Sequence, residues 1–147
     1  MQDEIHVRPL RWRAYSLVAA GVLLVVFTMA GLTLSGTTAN GGVLMFSDHL
    51  GMIGVGILLA GLVALLGARP KLDADEAGVR VRNGIGGYEL PWTAVRAVRF
   101  NRGAVWASLE LINDDVVPVM AIQSLDKQRA VVAVKALREL LAQHTPT

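Results

Sequence analysis

The hydrophobic and polar residues are arranged differently in the two halves of the chain. Residues 14–34 form an apolar run without a charged side chain, and residues 50–68 form a second such run. A helix needs about 20 apolar residues to cross the hydrocarbon core of a bilayer. The two runs therefore predict two membrane-spanning helices, which a loop rich in glycine, threonine and asparagine connects as a hairpin.

The pattern changes after Pro70, because proline ends a helix and continuous hydrophobicity gives way to alternation. Val79 and Val81 alternate with Arg80 and Arg82, which is typical of a strand with one buried face. Glycine and Asn-Asp turns divide this half of the chain further. We expect about six antiparallel strands, at residues 71–75, 78–83, 88–92, 95–100, 104–112 and 116–122.

The last segment, residues 126–143, predicts one amphipathic helix. Its apolar residues recur at spacings of three and four, at Val131, Val134, Leu137 and Leu141. Either Ser124 or Asp126 can cap its start by accepting a backbone N–H. A small meander of strands cannot bury both of its faces alone, so this helix should cover the open mouth of the curved sheet. The expected fold class is α+β, a partial barrel capped by one helix and preceded by a helical hairpin.

The composition agrees with a membrane protein and excludes several kinds of chemistry. Hydrophobic residues make up 53% of the chain and charged residues 18%, and the formal net charge is +2. That charge is too small to indicate a nucleic-acid partner. Because cysteine is absent, disulfides, thiolate nucleophiles and cysteine-bound metals are excluded.

The positive charges around the apolar runs predict the orientation of the hairpin. Arg8, Arg11 and Arg13 precede the first run, Arg69 and Lys71 follow the second, and the loop between them has neither lysine nor arginine. Positive residues stay on the cytoplasmic side. We therefore expect a plasma-membrane protein with both termini in the cytoplasm, made of a tail at 1–13, a hairpin at 14–68 and a cytosolic domain at 69–147.

Two features of the hairpin have alternative interpretations. The first apolar run follows arginines, as in a signal peptide, but it is longer than a cleavable segment and a second run follows closely. Gly56, Ala60 and Ala64 recur every four residues, which predicts a helix face where backbones can approach closely. This face could pack the two spans together or receive other subunits, although small residues are also simply common in spans.

The second half of the chain resembles the bacterial pleckstrin-homology-like (PH-like) family of small actinobacterial membrane proteins with two spans. The resemblance covers roughly residues 69–142, and its strongest stretches are RPKLDADEAGVRVRN, ELPWTAVRAVRF and VVPVMAIQSLDKQRAVVAVKALREL. It implies a cytosolic strand meander with a C-terminal helix. It implies little about function, because a fold does not specify a ligand.

Lys71, Arg80 and Arg82 form the candidate binding site. They resemble the basic pattern with which some eukaryotic PH domains hold inositol phosphates between their first two strands, and arginine and lysine suit phosphate chemically. The alternative is a solvated strand face whose charges merely favour the anionic leaflet. Asp73, Asp75 and Glu76, beside these cations, would repel a polyanion. No catalytic constellation, cofactor site or metal-ligand spacing is visible.

Three functions are compatible with these features. The first is a non-enzymatic, membrane-tethered binding or scaffold module that engages a protein partner or membrane lipids through anionic headgroups. The second is an accessory subunit of a larger membrane complex. The third is a membrane enzyme, which the missing nucleophile, base and carboxylate pairs argue against.

Overall fold

The computed structural model of the protein describes residues 4–33 and 46–145. These residues form two compact units, of which one is Arg13–Gly67 and the other combines the residues on either side of it. Residue 34 of the first predicted span and most of the predicted loop lie outside the described residues.

Two long helices make up most of the first unit. They are α1 (Leu10–Thr33) and α2 (Phe46–Ala68), and both are long and apolar enough to cross a membrane. Their large apolar side chains mostly point away from the protein; Leu32 is 69% exposed and Leu58 75% exposed. A core helix of a soluble protein usually buries such a surface, so both helices have the length and the exposed apolar surface of candidate membrane spans.

The second unit contains the strands, all of which pair antiparallel. One sheet has the order β1-β2-β3-β4 and the other has the order β5-β6-β7. The strands within the described residues are β1 (Ile5–Val7), β2 (Lys71–Ala74), β3 (Gly78–Arg82), β4 (Gly87–Pro91), β5 (Val95–Arg99), β6 (Trp106–Leu111) and β7 (Val116–Gln123). Six of these lie where the alternating pattern predicts strands.

The sequence pattern does not predict β1, which lies in the expected N-terminal tail at residues 1–13. β1 pairs with β2, and Val7 lies opposite Leu72. Ile5 and Val7 are half-buried against the core. The two long helices are therefore an insertion between the first and second strands of one sheet. A strand of three residues is too short to produce a recognisable alternation, which explains why it was missed.

Both sheets contribute to one hydrophobic core. On β3, Val79 and Val81 are buried while Arg80 and Arg82 are exposed, as the alternation predicts. The inner faces of β6 and β7 add Leu109, Val117 and Val119. Sheets with one apolar face must bury it against another layer, and here the two inner faces pack against each other and against the last helix.

That last helix is α3 (Gln128–His144), and it covers the core as expected. Its buried residues are Ala130, Ala133, Val134, Leu137, Leu140 and Leu141. The expectation that Val131 belongs to this buried face was wrong, since Val131 is 51% exposed. The helix turns alanines toward the sheets, and alanine is too small to stand out in a pattern of hydrophobic residues.

The predicted cap of α3 was also wrong. Lys127 lies at the N-cap position with a φ of 47°, and no side chain caps this end of the helix. Asp126 accepts a hydrogen bond from the backbone N–H of Arg11 instead, at 3.2 Å. A carboxylate that contacts the N-terminal turn of α1 is also favoured by the positive end of the helix dipole. The predicted fold class, two long apolar helices and an α+β domain, is confirmed.

Candidate headgroup-binding face

The predicted basic residues come together on the outer face of the four-stranded sheet. Lys71 on β2 lies directly opposite Arg82 on β3, and Asp73 lies opposite Arg80. Residues opposite each other in an antiparallel pair project from the same face of the sheet. The inward positions of these strands are apolar and buried, so the charged side chains necessarily point outward. The structure thus assembles Lys71, Arg80 and Arg82 around an acidic residue.

Two of the three cations already have acidic partners. The ammonium of Lys71 lies 2.6 Å from Asp73 Oδ2, and Nδ1 of His6 lies 2.6 Å from Asp73 Oδ1. Arg80 Nε lies 3.7 Å from a carboxylate oxygen of Glu89 on β4. Arg82 forms no ion pair with any residue in the described parts of the chain. Arg82 is therefore the cation most available to an incoming anion.

Asp73 is the centre of the ionic network that joins β1 to β2. Burial would raise the pKa of this carboxyl, but the hydrogen bonds and charges of Lys71 and His6 outweigh that effect and hold the pKa below its ordinary value. The ionised carboxylate therefore persists at neutral pH. It also neutralises part of the charge with which Lys71 would meet an anion.

A shallow depression of about 250 Å³ lies over these side chains, between β2, β3 and β4. Its charged lining consists of three cations and two carboxylates: Lys71, Arg80, Arg82, Asp73 and Glu89. An excess of one positive charge suits a single phosphodiester or phosphate group. It does not suit a polyanion, which the two carboxylates would repel.

Sequence reasoning identified the cations and one of their acidic neighbours. Asp75, the next acidic residue, does not face this site, because its carboxylate accepts hydrogen bonds from the N–H groups of Ala77 and Gly78 and shapes the β2–β3 turn. His6 and Glu89 were missed, since each depends on a strand pairing that the sequence does not display. The one signal in the sequence was the outward position of Glu89 on a predicted strand.

The small residues of α2 lie at close approaches between the two apolar helices. A Cβ atom at Gly56 would collide with Phe27 of α1, and a Cβ atom at Gly67 would collide with Ser16. Ala60 is buried, whereas Ala64 is half-buried. The helix surface at Gly56 is thus covered by α1 within this unit and is not available to another subunit.

The described residues, 4–33 and 46–145, bring no three His, Asp or Glu side chains close enough together to hold a metal ion. Trp92 is buried; its indole N–H donates to the carbonyl oxygen of Asp75 at 2.8 Å, and its ring stacks on His144 with the centroids 6.0 Å apart. These groups contribute to packing in the core. They do not form a nucleophile and base pair.

Comparisons with known proteins agree with this architecture. A family model described as a bacterial PH domain matches residues 69–140. An uncharacterized protein of Mycobacterium tuberculosis and one of Mycobacterium bovis are each 40% identical over 143 residues, which is 97% of this chain and 92% of theirs. No solved structure matches the chain.

Proposed function

Because this chain belongs to a bacterial PH-domain family with mycobacterial relatives, we propose that it is a membrane-tethered, non-enzymatic binding module. Its two apolar helices anchor it in the plasma membrane. Its PH-like domain engages anionic headgroups or a protein partner at the cytoplasmic face. Domains of this kind are typically binding modules, and the comparisons point to no enzyme family.

The pairing of β1 with β2 is the observation that carries this proposal. The residues before α1 and the residues after α2 are neighbours in one sheet, with Val7 opposite Leu72. If both helices cross a bilayer, the segments on either side of them must lie on the same side of it. This pairing supports a hairpin topology independently of the hydropathy of the helices.

The positively charged residues beside the two helices favour the cytoplasmic side for both ends of the hairpin. Arg8, Arg11 and Arg13 precede or begin α1, and Arg69 and Lys71 follow α2. Positive residues beside a span are retained in the cytoplasm, where the leaflet is also anionic. Lys71 follows the end of α2 at Ala68 by three residues, so the chain itself keeps this cation close to the proposed membrane surface.

The topology is tested by reporters at both ends of the chain. Fusions of a reporter that is active only in the cytoplasm should be active at Met1 and at Thr147, and the protein should sediment with membranes and resist carbonate extraction. A control reporter that is active only outside the cytoplasm should be silent at both positions. Activity of that control at either terminus contradicts the proposal.

Headgroup binding is tested by native mass spectrometry of the full chain released from mild detergent. The wild type should retain phosphatidylglycerol in preference to phosphatidylcholine. The double variant Lys71→Gln, Arg82→Gln should lose most of that preference, because it removes two cations, each worth about 1 kcal/mol near an anionic surface.

The matched control is the double variant Arg102→Gln, Lys127→Gln, which removes the same charge from exposed positions outside the depression. This control should retain the wild-type preference. If both double variants lost the same part of the lipid preference, that preference would depend only on the net charge of the protein. This outcome would contradict a headgroup site on β2 and β3. The accessory-subunit alternative needs another helix face, since Gly56 and Ala60 are buried within the described hairpin.

A further inference from the structure

A groove of about 340 Å³ runs between β1 and α3, away from the basic face of the sheet. Its floor includes Ala130, Ala133 and Ala136, which follow one another at every third position of α3. These positions share one face of the helix, and their methyl side chains leave a trough where larger residues would fill the space. Ile5 and Val7 line the opposite side.

The strand that borders this groove has an unpaired edge. β1 is the outermost strand of its sheet, and its hydrogen-bonded neighbour among the described residues is β2. In an antiparallel ladder, alternate backbone N–H and C=O groups of such a strand point away from the sheet. These groups can pair with one further extended segment.

A polar side chain in the groove has an unfulfilled hydrogen bond. Gln123, at the end of β7, lines the groove and is 2% exposed. Its amide nitrogen donates to the carbonyl oxygen of Met120 at 3.0 Å. Its Oε1 is buried without a partner among the described residues. A buried acceptor without a donor is costly, so this side chain gains a hydrogen bond if it turns toward a ligand that brings an N–H or O–H group.

The charges along the groove are polarised. A second cavity of about 300 Å³ continues it past Ile5 and Ala136, and there the charged lining is Glu4 and Glu139. At the other end the cations are Arg8 and Arg129. Both walls thus carry acidic residues at one end and basic residues at the other.

Neighbouring charges compensate this polarity only in part. Asp126 also lies at the basic end, where its carboxylate accepts the N–H of Arg11. Lys135 lies 3.9 Å from Glu139, and both of these side chains are largely exposed.

We propose that this groove binds an extended peptide segment of a partner protein, with an acidic side chain at the Arg8 and Arg129 end and a basic side chain at the Glu4 and Glu139 end. The inference rests on the proposed binding function and names its protein ligand. Arg129 and Glu139 are ten positions apart, which is about 15 Å of helix and equals four or five residues of strand. α3 closes the far side of the groove, so a single strand fits there and the sheet edge of a second copy does not.

The test uses the full chain in detergent micelles and two fluorescein-labelled pentapeptides. The first is Asp-Val-Thr-Val-Lys-amide, with the dye joined to its N-terminus through an aminohexanoyl spacer so that the lysine keeps its charge, and the second replaces its aspartate by lysine so that both ends are basic. Fluorescence anisotropy should show binding of the mixed-charge peptide that is at least about fivefold tighter, because the second peptide places a cation against Arg8 and Arg129 in either direction.

Two variants test the location. Ala136→Leu fills the trough and should weaken binding of the mixed-charge peptide by about tenfold or more. The control Ala142→Leu, at an exposed position of the same helix, should leave binding unchanged. Arg129→Glu makes the basic end more acidic and should reverse the preference in favour of the peptide with two lysines.

Three outcomes would overturn the proposal: equal binding of both peptides, equal effects of the two leucine variants, or no change of preference in Arg129→Glu. A dimer in micelles that excludes the peptide would also overturn it, by assigning the groove to a second copy. These measurements are independent of membrane topology and of lipid. A failure here therefore leaves the reporter and headgroup results intact, and a failure of those results leaves the peptide measurements interpretable.

Discussion

Asn83 is a single polar side chain that joins the two sheets of the domain. It directly follows β3 and is 3% exposed. Its amide nitrogen donates to the carbonyl oxygen of Pro118, at 2.8 Å, and its Oδ1 accepts the backbone N–H of Met120, at 3.1 Å. Both partners belong to β7, which lies in the other sheet. A buried side chain whose donor and acceptor are both used fixes the relative position of the elements it connects.

We expect Asn83→Ala to lower the free energy of unfolding by about 2 kcal/mol, because it removes the partner of two half-buried backbone groups, the carbonyl oxygen of Pro118 and the N–H of Met120. Tryptophan fluorescence during thermal unfolding in mild detergent measures this. The control Asn101→Ala, at an exposed turn position, should change stability by less than about 0.5 kcal/mol. Similar effects of both substitutions would contradict the role of Asn83 as a connector.

Asp73 gives the domain a pH dependence with a defined sign. Since the folded state lowers the pKa of this carboxyl below 3.8, its stabilisation is complete above that ordinary value and is lost as the pH falls through the lowered pKa. Asp73→Asn should destabilise the protein at pH 7 by about 1 kcal/mol. The difference between wild type and variant should shrink as the pH falls below 3.8, in unfolding curves recorded from pH 7 downwards. A difference that does not change as the carboxyl becomes protonated would exclude the network with Lys71 and His6.

At the scale of elements, glycines set how closely the two apolar helices approach each other. Gly31 faces Ile53 of α2, where an added Cβ would lie 2.9 Å from a side-chain carbon. Gly56 faces Phe27, and Gly67 faces Ser16. In lipid, where apolar contact between helices gains nothing over contact with acyl chains, such close packing is a main source of helix association.

Gly56→Ala should therefore lower the melting temperature of the full chain in detergent, because the new methyl group overlaps Phe27 and packing strain costs about 1–3 kcal/mol. The control is Gly61→Ala, five residues further along α2, where an added Cβ meets no atom within 4 Å. That control should be neutral or stabilising, since alanine favours helix more than glycine does. Equal melting temperatures for both variants would show that the helices do not pack through Gly56.

At the scale of the whole molecule, the helical hairpin interrupts a domain instead of preceding it. β1 comes before α1, β2 comes after α2, and the two strands pair. The domain therefore requires residues from both sides of the hairpin. Its two connections to the hairpin leave from adjacent strands.

We expect a chain that joins residues 4–8 to residues 71–145 through a three-residue glycine-serine turn to fold in water as a soluble monomer. Val7 and Leu72 are opposite in the ladder, so their Cα atoms are about 5 Å apart and a short turn can connect their strands. Residues 69–145 without β1 should be less stable and should aggregate, because Leu72 and the edge of β2 become exposed. Circular dichroism and gel filtration distinguish these outcomes. Equal stability of the two chains would contradict a structural role for β1.

Much of the architecture could be predicted from local patterns. Uncharged runs predict the two long helices, and the alternation of Val79 and Val81 with arginines predicts β3 and its outward face. The same alternation places Lys71, Arg80 and Arg82 on one surface. Periodicity also predicts α3, but Val131 was assigned to the wrong side because the true buried stripe contains alanines. On α3, therefore, the large hydrophobic residues are not always the buried ones.

The amino-acid sequence by itself determined which segments are apolar helices, six of the strands, and which strand face is charged, because these properties depend on neighbours within a few positions. The tertiary structure decided the rest. The pairing of Ile5–Val7 with β2, the link from Asn83 to β7, the contact of His6 with Asp73 and the polarised groove along α3 all join residues that are distant in the chain. No local pattern encodes such pairs, since they form only when the core brings the two sheets and the helix together.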